Sequence, residues 1–324
     1  MTSIGKYRHL GRATTAEGHF VVMAIDHRTN LRQKLDQHAP QPLADEQFVR
    51  FKQQVIAALA PHSSAVLTDP AYGIGRGVAT GALPGSLGLL APVEVTDYSQ
   101  HPSQRTVEFI PAWSVAKIKR MGGDGVKLLL PYHPEDSTTA EKHILVQQIV
   151  SECARHDLPF YLEPIPYSPN PGQPLPNDER LAINVQMCRT FSEMGVDVLK
   201  LPFPLDAAQS ADVGAWRAAC NQVDAACTVP WALLSAGVDF ETFLRQSEIA
   251  CQAGASGVIV GRAVWGEATR QTREARQHFL AETAATRMRQ LAAVCAQHAM
   301  PWQVHTPPPD DRLDWYERYE STDS

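Results

Sequence analysis

Eight short apolar segments recur along this chain and are separated by longer stretches with helical patterning. They follow one another at intervals of about 30 to 40 residues, and most are apolar throughout rather than alternating. Continuous apolar runs of this length are typical of strands that are buried on both faces. The predicted strands are His19–Asp26, Ser64–Asp69, Leu87–Val93, Gly125–Leu130, Pro159–Ile165, Asp197–Pro202, Pro230–Ala236 and Gly257–Ala263.

Amphipathic helical patterns occupy the intervals between these strands. In Leu43–Ala60 the apolar residues fall on one face at helical spacing, as in a helix that packs against a core. The stretches Asp178–Met194, Phe240–Ala253 and Glu267–His298 have the same pattern and predict three further helices.

Strand–helix alternation repeated eight times predicts an α/β protein of one domain, a (β/α)₈ TIM barrel. The third repeat gives the weakest signal, because Tyr72–Gly88 is rich in glycine and Glu94–Val107 lacks clear periodicity. A doubly wound open sheet is the alternative. It is disfavoured because the Gly-x-Gly fingerprint does not follow the first strand.

The two ends of the chain differ in composition. We expect residues 1–305 to form the barrel and residues 306–324 to form a tail that is Pro-rich, then acidic and aromatic. Trp315 and Tyr316 predict that this tail docks, either on its own barrel or on a neighbouring subunit. The tail and the long final helical pattern fit a homodimer or homotetramer.

Charge and composition argue against several classes of protein. Lys and Arg total 29 against 35 Asp and Glu, and no basic stripe occurs, so nucleic acid is not an expected partner. The N-terminus has no apolar h-region, and no apolar run is long enough to span a membrane. We therefore expect a cytoplasmic protein. The six cysteines lack CxxC spacing, which favours reduced core residues over disulfides.

Polar residues stand at the ends of these apolar strands. Active sites of parallel barrels lie at the carboxyl ends of the strands, so their side chains are expected to meet in one site. In chain order the strand ends carry Asp26, His27, Arg28, Asp69, Lys127, Glu163, Lys200, the segment Ser235-Ala236-Gly237 and the pair Gly261-Arg262.

Lys200 ends an apolar strand, where burial of a charged ammonium group is unfavourable and therefore suggests a functional role. Burial should lower its pKa, and the neutral amine can then attack a carbonyl carbon and form a Schiff base. Lys127 is expected to lower the Lys200 pKa or to bind a substrate oxygen. Desolvation should raise the pKa of Glu163 and suit it to general acid–base work. A structural pair of Lys200 with Glu163, or of Lys127 with Asp26, is the alternative.

The last two strand ends predict a phosphate site. Loops after strands seven and eight commonly bind phosphate through backbone N–H groups in such barrels. Ser235, Ala236 and Gly237 are small enough for the backbone to approach a phosphate. After Gly261, Arg262 offers a planar fork that suits phosphate oxygens. A tight turn with a surface arginine is the alternative.

The other candidates each have two interpretations. Asp26 and Arg28 either contribute to the site or form a local ion pair. Asp69 begins a turn that either faces the substrate or is purely structural. His27 and His133 are expected at the rim of the site rather than as metal ligands.

Several segments resemble the class I tagatose-1,6-bisphosphate aldolase family, which includes the sulfofructose-phosphate aldolases. The similarity runs in order over roughly residues 18–268. The segments that carry it are Ala24-Ile-Asp-His-Arg28, Leu67-Thr-Asp-Pro-Ala-Tyr-Gly73, Val126-Lys-Leu-Leu129, Leu162-Glu-Pro-Ile165, Val198-Leu-Lys200, Leu234-Ser-Ala-Gly-Val238 and Gly261-Arg-Ala-Val-Trp265.

The resemblance implies a (β/α)₈ Schiff-base aldolase that needs no metal or other cofactor. By position, Lys200 would be the Schiff-base lysine and Glu163 the proton-transfer carboxylate, with Lys127 and Asp26 beside them. The two phosphate segments would hold the phosphate of dihydroxyacetone phosphate. The chain departs from the family at His27, where many relatives have Gln. It also departs after Lys200, where Leu-Pro-Phe-Pro replaces the commoner Val-Glu-plus-apolar run.

The expected activity is cleavage of a ketose 1-phosphate or 1,6-bisphosphate into dihydroxyacetone phosphate and an aldehyde such as glyceraldehyde 3-phosphate. Cleavage of 6-deoxy-6-sulfofructose-1-phosphate is an alternative within the family. A metal-dependent aldolase or isomerase, or a sugar-phosphate-sensing regulator, is an alternative on the same barrel. A second anionic group would need a second cationic site, for which Arg28 and Arg76 are the candidates.

Overall fold

The computed structural model describes residues 2–38, 41–95 and 100–319. Eight parallel strands form a closed barrel of one domain, which confirms the predicted fold class. Each strand pairs with its neighbours in sequence, and the last pairs with the first. The barrel strands are β1 (Phe20–Ile25), β2 (Ala65–Thr68), β3 (Gly88–Pro92), β4 (Gly125–Tyr132), β5 (Phe160–Pro166), β6 (Val198–Pro202), β7 (Trp231–Leu234) and β8 (Gly257–Val260).

Helices connect the strands and pack around the barrel. Their apolar faces bury against the outer faces of the strands, as the amphipathic patterns predict. The helices are α1 (Ile4–Arg12), α2 (Thr29–Asp36), α3 (Asp45–Leu59), α4 (Gly75–Ala79), α5 (Val115–Arg120), α6 (Thr139–Arg155), α7 (Asn177–Glu193), α8 (Val213–Ala226), α9 (Phe240–Ala253), α10 (Arg262–Trp265), α11 (Arg273–Phe279) and α12 (Ala285–His298).

Alternate residues of a barrel strand face the barrel interior and the surrounding helices. In β1, Phe20 and Val22 belong to the interior cluster, whereas Val21 and Met23 pack in the outer layer. The interior is filled by large side chains, and the ring of Tyr161 meets the ring of Phe20 edge to face at 5.9 Å. The lower barrel is therefore a packed core at this level.

The third repeat differs most from the predicted pattern. A two-stranded antiparallel ribbon (Glu94–Val95 and Glu108–Phe109) follows β3, and the helix of this repeat is only the short α5. The physical reason is that Glu94–Val107 lacks a periodic apolar face, so a helix there would gain little from packing.

The predicted helix over Glu267–His298 is also interrupted. A 3₁₀ turn over Gly266–Arg270 comes first, and the regular helix begins at α11. A π-helical turn, Leu280–Ala284, then joins α11 to α12.

Helix α1 covers the amino end of the barrel. Lys6 Nζ donates to Asp197 Oδ2 at 2.7 Å, and Asp197 directly precedes β6. His9 Nδ1 lies 2.9 Å from Asp124 Oδ1, and Asp124 directly precedes β4. These contacts hold the helix across the amino end of the barrel, which leaves the carboxyl end open for chemistry.

The tail contacts its own barrel through a residue that the sequence did not single out. The Tyr319 hydroxyl accepts from the Gly5 backbone N–H at 3.0 Å and donates to Asp157 Oδ2 at 2.8 Å. Trp315 packs edge to face on Tyr319 with ring centres 5.6 Å apart, whereas Tyr316 is exposed. Residues 320–324 of the predicted tail lie outside the described residues, and the boundary at residue 305 stays a prediction.

Two further expectations concern the whole chain. No helix in the described segments is long and apolar enough to cross a membrane. All six cysteines are buried and carry free thiols, which confirms the preference for reduced core residues over disulfides.

Candidate active site

Strand register brings three predicted site residues into one cavity. Along β4, β5 and β6, Lys127, Glu163 and Lys200 occupy positions that point into the barrel, two residues beyond interior core positions such as Tyr161 and Val198. They line a cavity of about 280 Å³ at the carboxyl end of the barrel. The alternation of the strands therefore places polar groups directly above the packed interior.

One carboxylate oxygen joins the two lysines. Lys200 Nζ donates to Glu163 Oε2 at 2.8 Å, and Lys127 Nζ lies 3.0 Å from the same oxygen. The three residues are 5%, 7% and 2% exposed in that order. Because water screens such a buried cluster only weakly, the charges interact strongly.

Lys127 has three carboxylates around its ammonium group. Besides Glu163, it donates to Asp26 Oδ2 at 3.0 Å and to Glu94 Oε1 at 2.7 Å. Burial alone would lower the pKa of Lys127, but Asp26, Glu163 and Glu94 together hold that pKa well above its ordinary value. Lys127 is therefore a permanent cation in the cavity wall.

The predicted pKa shift of Glu163 is wrong in sign. Burial alone would raise its pKa, but the neighbouring Lys127 and Lys200 hold the pKa below the ordinary value. Glu163 is therefore a carboxylate at neutral pH and can accept a proton.

Asp26 and His27 extend the cluster at the end of β1. Burial would raise the pKa of Asp26, but Lys127 and Lys200 hold it well below its usual range. Burial lowers the pKa of His27 to about 3, and the positive charges of Arg262 and Lys200 act in the same direction. The His27 imidazole is therefore neutral, and its buried Nδ1 has no hydrogen-bond partner among the described residues.

Glu94 also belongs to this cluster, although no sequence motif identified it as a site residue. It is 1% exposed and lies two residues after β3, on the first strand of the ribbon. Burial raises its pKa, which Lys127 only partly offsets, and its Oε2 has no partner within the described parts of the chain. The only sequence feature that could have indicated Glu94 as a site residue is its position directly after the predicted strand Leu87–Val93.

A second cavity of about 370 Å³ adjoins the first. His27, Asn30 and Arg262 line both cavities, so the two share a wall. Lys34 and Arg270 also line the second cavity. Burial lowers the pKa of Lys34, and the positive charges of Arg262 and Arg270 lower it further, which marks a region where cations are concentrated.

The predicted phosphate segments form one side of this second cavity. Gly237 and Ala236 have positive φ, 87° and 47°, so the chain turns sharply between β7 and helix α9. Gly237 lines the second cavity and Ala236 lines the first. At Gly261, an added Cβ would lie 2.9 Å from the Ala24 carbonyl oxygen, so the close approach of β8 to β1 requires glycine. Ser235 is buried, and neither Ser235 nor Gly261 is among the residues that line the two cavities.

Other predicted residues are not brought to either cavity. Arg28 donates to the Glu94 backbone carbonyl. Asp69 is fully buried, where it pairs with Lys52 and caps the turn that follows by accepting from backbone N–H groups. These contacts support the structural interpretation of Asp69 rather than a substrate-facing turn. Arg76 is exposed on the short helix α4.

Two arginines that the sequence analysis did not select line the catalytic cavity. Arg105 lies on the loop between the ribbon strands, and Arg180 lies in the first turn of α7. Neither follows a strand directly, so only the folded chain indicates their position.

The structure also locates His133, whose Nε2 lies 3.4 Å from Glu179 Oε1. In the described residues, no group of three or more His, Cys, Asp or Glu is arranged to hold a metal ion.

A parallel barrel with a buried lysine–carboxylate cluster at the carboxyl ends of its strands has the arrangement of an enzyme active site. Residues 20–267 match the family model "DeoC/LacD family aldolase", and the chain belongs to this family. It is therefore a class I, Schiff-base aldolase.

Curated relatives cover most of the chain. It is 32% identical to "Tagatose 1,6-diphosphate aldolase 2" of Enterococcus faecalis over an alignment of 280 residues. That alignment covers 81% of this chain and 83% of the relative. It is 29% identical over 320 residues to the protein of the same name in Streptococcus agalactiae, covering 92% of this chain and 97% of that relative.

Solved structures share the fold at lower identity. An archaeal fructose 1,6-bisphosphate aldolase superposes with a TM-score of 0.61 at 17% identity, covering 90% of this chain and 99% of that chain. A fructose-bisphosphate aldolase from Plasmodium falciparum superposes with a TM-score of 0.66 at 11% identity, covering 91% and 95%. These likenesses support the barrel architecture.

Proposed function

We propose that this aldolase cleaves a ketose 1-phosphate or 1,6-bisphosphate of the tagatose type through a Schiff base on Lys200. The observation that carries the proposal is the 2.8 Å hydrogen bond from Lys200 Nζ to Glu163 Oε2 in a buried cavity. A carboxylate at this distance can take the proton of the lysine ammonium and release the amine for attack. The relatives named as tagatose 1,6-diphosphate aldolases support the choice of substrate class.

In the first half of the proposed reaction, the Lys200 amine adds to the C2 carbonyl of the ketose. Glu163 passes the proton that it took from the ammonium to the C2 hydroxyl, which leaves as water and restores the carboxylate. The iminium ion that remains attracts electrons from the neighbouring bonds. Glu163 then accepts the proton of the C4 hydroxyl. The C4–O bond becomes a carbonyl, and the electron pair of the C3–C4 bond passes into the iminium to give an enamine.

In the second half, the aldehyde leaves and Glu163 returns a proton to C3 of the enamine. Water then adds to C2 of the restored iminium, and dihydroxyacetone phosphate leaves the lysine. Glu163 acts as base and then as acid, and the depressed pKa that the two lysines impose on it favours the base form before cleavage.

Lys127 is the proposed electrostatic partner in this scheme. It stays protonated because Asp26, Glu163 and Glu94 surround it, so it presents a fixed positive charge to oxygens of the substrate. A preorganised charge of this kind stabilises negative charge that develops on oxygen during cleavage.

The second cavity is the proposed site of the C1 phosphate. Gly237 and Arg262 contribute to its lining, and Lys34 and Arg270 supply further positive charge. His27, Asn30 and Arg262 line both cavities. A substrate with its carbonyl carbon at Lys200 and its phosphate in the second cavity would therefore run alongside these three side chains.

A cleavage assay with lysine variants tests the proposal. Lys200→Ala should lower the release of dihydroxyacetone phosphate from tagatose 1,6-bisphosphate by about 10³-fold or more, measured in the presence of a chelator. Lys117→Ala is the matched control, because Lys117 is exposed on α5. Cleavage by Lys200→Ala at the wild-type rate would contradict the proposal.

A further inference from the structure

Three polar side chains are joined by hydrogen bonds at the amino end of the barrel. His9 lies on α1, Lys119 lies on α5, and Asp124 directly precedes β4. His9 Nδ1 lies 2.9 Å from Asp124 Oδ1, and Lys119 Nζ lies 3.0 Å from His9 Nε2. None of these three residues lines the catalytic cavity or the second cavity. The proposed aldolase reaction therefore leaves this set, the Asp124–His9–Lys119 relay, without a task.

The partners on the two sides of His9 determine where its ring proton lies. A carboxylate oxygen only accepts hydrogen bonds, so His9 Nδ1 carries the proton and donates it to Asp124. A lysine ammonium only donates, so His9 Nε2 accepts from Lys119 with its lone pair. The basic nitrogen of a neutral imidazole is therefore directed at Lys119 Nζ.

Asp124 is fixed in place and orients His9. Its side chain is 1% exposed, its Oδ2 accepts from the Leu89 backbone N–H at 3.0 Å, and Arg12 Nε lies 2.8 Å from its Oδ1. A buried carboxylate held in this way stabilises the imidazolium that forms when the histidine takes up a proton. A nucleophile, a base within hydrogen-bonding reach and a third group that orients the base together form the arrangement of an activated nucleophile.

Lys119 can be reached from solvent and differs from its neighbour Lys117 in the group that accepts from it. Lys119 is half-buried, and the His9 side chain is 19% exposed. Lys117 is exposed on the same helix α5, but its Nζ donates to the Ala112 backbone carbonyl oxygen. A backbone carbonyl does not take up a proton at neutral pH, whereas an imidazole nitrogen does. Of these two lysines, Lys119 is therefore the one with a base at hand.

We propose that Lys119 is a modification site that accepts an activated acyl group from an acyl thioester or an acyl phosphate. His9 Nε2 first accepts a proton from the Lys119 ammonium and passes it to water. The amine then attacks the acyl carbon and forms an N–C bond. The bond from that carbon to sulfur or to the phosphate oxygen breaks, and the thiolate or phosphate leaves with the bonding electron pair. His9 Nε2 accepts the second proton from the nitrogen, which completes the amide.

Acylation changes the charge of the contact between α1 and α5. The amide N–H of an acylated Lys119 can still donate to His9 Nε2, whereas the positive charge of the lysine is lost. Because the relay lies apart from both cavities, this modification is independent of the proposed aldolase mechanism.

The test compares three lysines that lie within one peptide. The full-length protein is incubated separately with acetyl phosphate and with acetyl-coenzyme A, cleaved after glutamate, and analysed by mass spectrometry. The peptide of residues 109–135 contains Lys117, Lys119 and Lys127, and fragment masses give the initial rate of acetylation at each. The measured quantity is the ratio of the rate at Lys119 to the rate at Lys117. Lys127 is 2% exposed, so its acetylation measures how much of the protein is unfolded.

We expect at least one donor to acetylate Lys119 about 10-fold or more faster than Lys117 in the wild-type protein. The donor that shows this preference identifies the source of the acyl group, and either donor supports the site. His9→Gln keeps hydrogen-bonding groups at this position but cannot take up a proton, so it should lower the ratio to about 1. His278→Gln is the control, because His278 is exposed on α11, and it should leave the ratio unchanged.

Two results would overturn the inference. One is a wild-type protein in which neither donor acetylates Lys119 faster than Lys117. The other is a folded His9→Gln variant, with as little acetylation of Lys127 as the wild type, in which the ratio is unchanged. A purely structural contact between Lys119 and His9 would give this second result, because glutamine can also accept from the lysine. If acetylation of Lys127 shows that His9→Gln unfolds, the wild-type ratio with the two donors decides.

Discussion

Two glutamates of this site contact the same lysine and have opposite pKa shifts. Among the described residues, the Glu94 carboxylate contacts one cation, Lys127, so burial dominates and raises its pKa. Glu163 contacts Lys127 and Lys200 with one oxygen, and the two positive charges outweigh burial and lower its pKa. The number of cations within reach, rather than burial itself, decides which carboxylate is ready to accept a proton.

Glu163→Gln tests the acid–base role at the scale of one side chain. The amide keeps the size of the carboxylate but cannot accept the C4 hydroxyl proton, so kcat should fall about 10²- to 10⁴-fold. The measurement is single-turnover cleavage of the ketose phosphate. A fall in kcat/KM through KM alone would instead indicate that Glu163 only binds substrate.

The same residue predicts how folding stability depends on pH. The pKa of Glu163 is lower in the folded chain than in the unfolded chain, so the unfolded chain binds more protons as the pH falls below about 4.5. The stabilisation is fully present above that pH and is lost as the pH falls through the folded-state pKa. Wild-type protein should therefore lose more stability than Glu163→Gln on acidification, as measured by urea unfolding. An equal loss in both proteins would contradict the lowered pKa.

At the scale of elements, a buried ion pair fixes helix α3 to the end of β2. Lys52 on α3 and Asp69 after β2 are both fully buried and pair with each other. Lys52 Nζ also donates to the Ile25 carbonyl oxygen at 2.9 Å, so the lysine joins α3 to β1 and to the turn after β2. This arrangement explains why Asp69 is needed in the fold although it does not line a cavity.

Lys52→Met should therefore destabilise the protein by about 3–5 kcal/mol, because Asp69 would be left as a buried charge without its partner. Arg50→Met is the control on the same helix, since Arg50 is exposed, and it should change stability by less than about 0.5 kcal/mol. Urea unfolding measures both. Equal effects of the two substitutions would show that the Lys52–Asp69 pair does not hold α3 in place.

Much of the barrel was predictable because its elements are defined locally. Continuous apolar runs predict strands buried on both faces, and the helical patterns between them predict the crossovers. The helix Phe240–Ala253 was predicted with its observed bounds. The third repeat was not predictable in the same way, since its ribbon depends on pairing between Glu94–Val95 and Glu108–Phe109 rather than on local periodicity.

The site was predictable only where its residues end a strand. Lys127, Glu163 and Lys200 follow from strand register, and the structure brings them within hydrogen-bonding reach of one another. Arg180 lies on a helix and Arg105 on a loop, so their place in the cavity depends on how the barrel closes. The pKa of Glu163 was predicted with the wrong sign because a sequence shows burial but not the number of nearby cations.

At the scale of the whole molecule, the two ends of the barrel have different tasks. The amino end is closed by α1 through the Lys6–Asp197 pair, and the tail residue Tyr319 adds hydrogen bonds to Gly5 and Asp157. The carboxyl end holds the lysine–carboxylate cluster and both cavities. Stability at one end and chemistry at the other is the division of labour found in barrels of this type.

Borohydride trapping shows directly which lysine forms the covalent intermediate, for which we propose Lys200. Enzyme is incubated with dihydroxyacetone phosphate and a chelator, reduced with borohydride, digested, and analysed by peptide mass spectrometry. We expect a reduced adduct on the peptide that contains Lys200, and no such mass in the Lys200→Ala variant. An adduct on Lys127 alone, or no adduct on any lysine, would contradict the account.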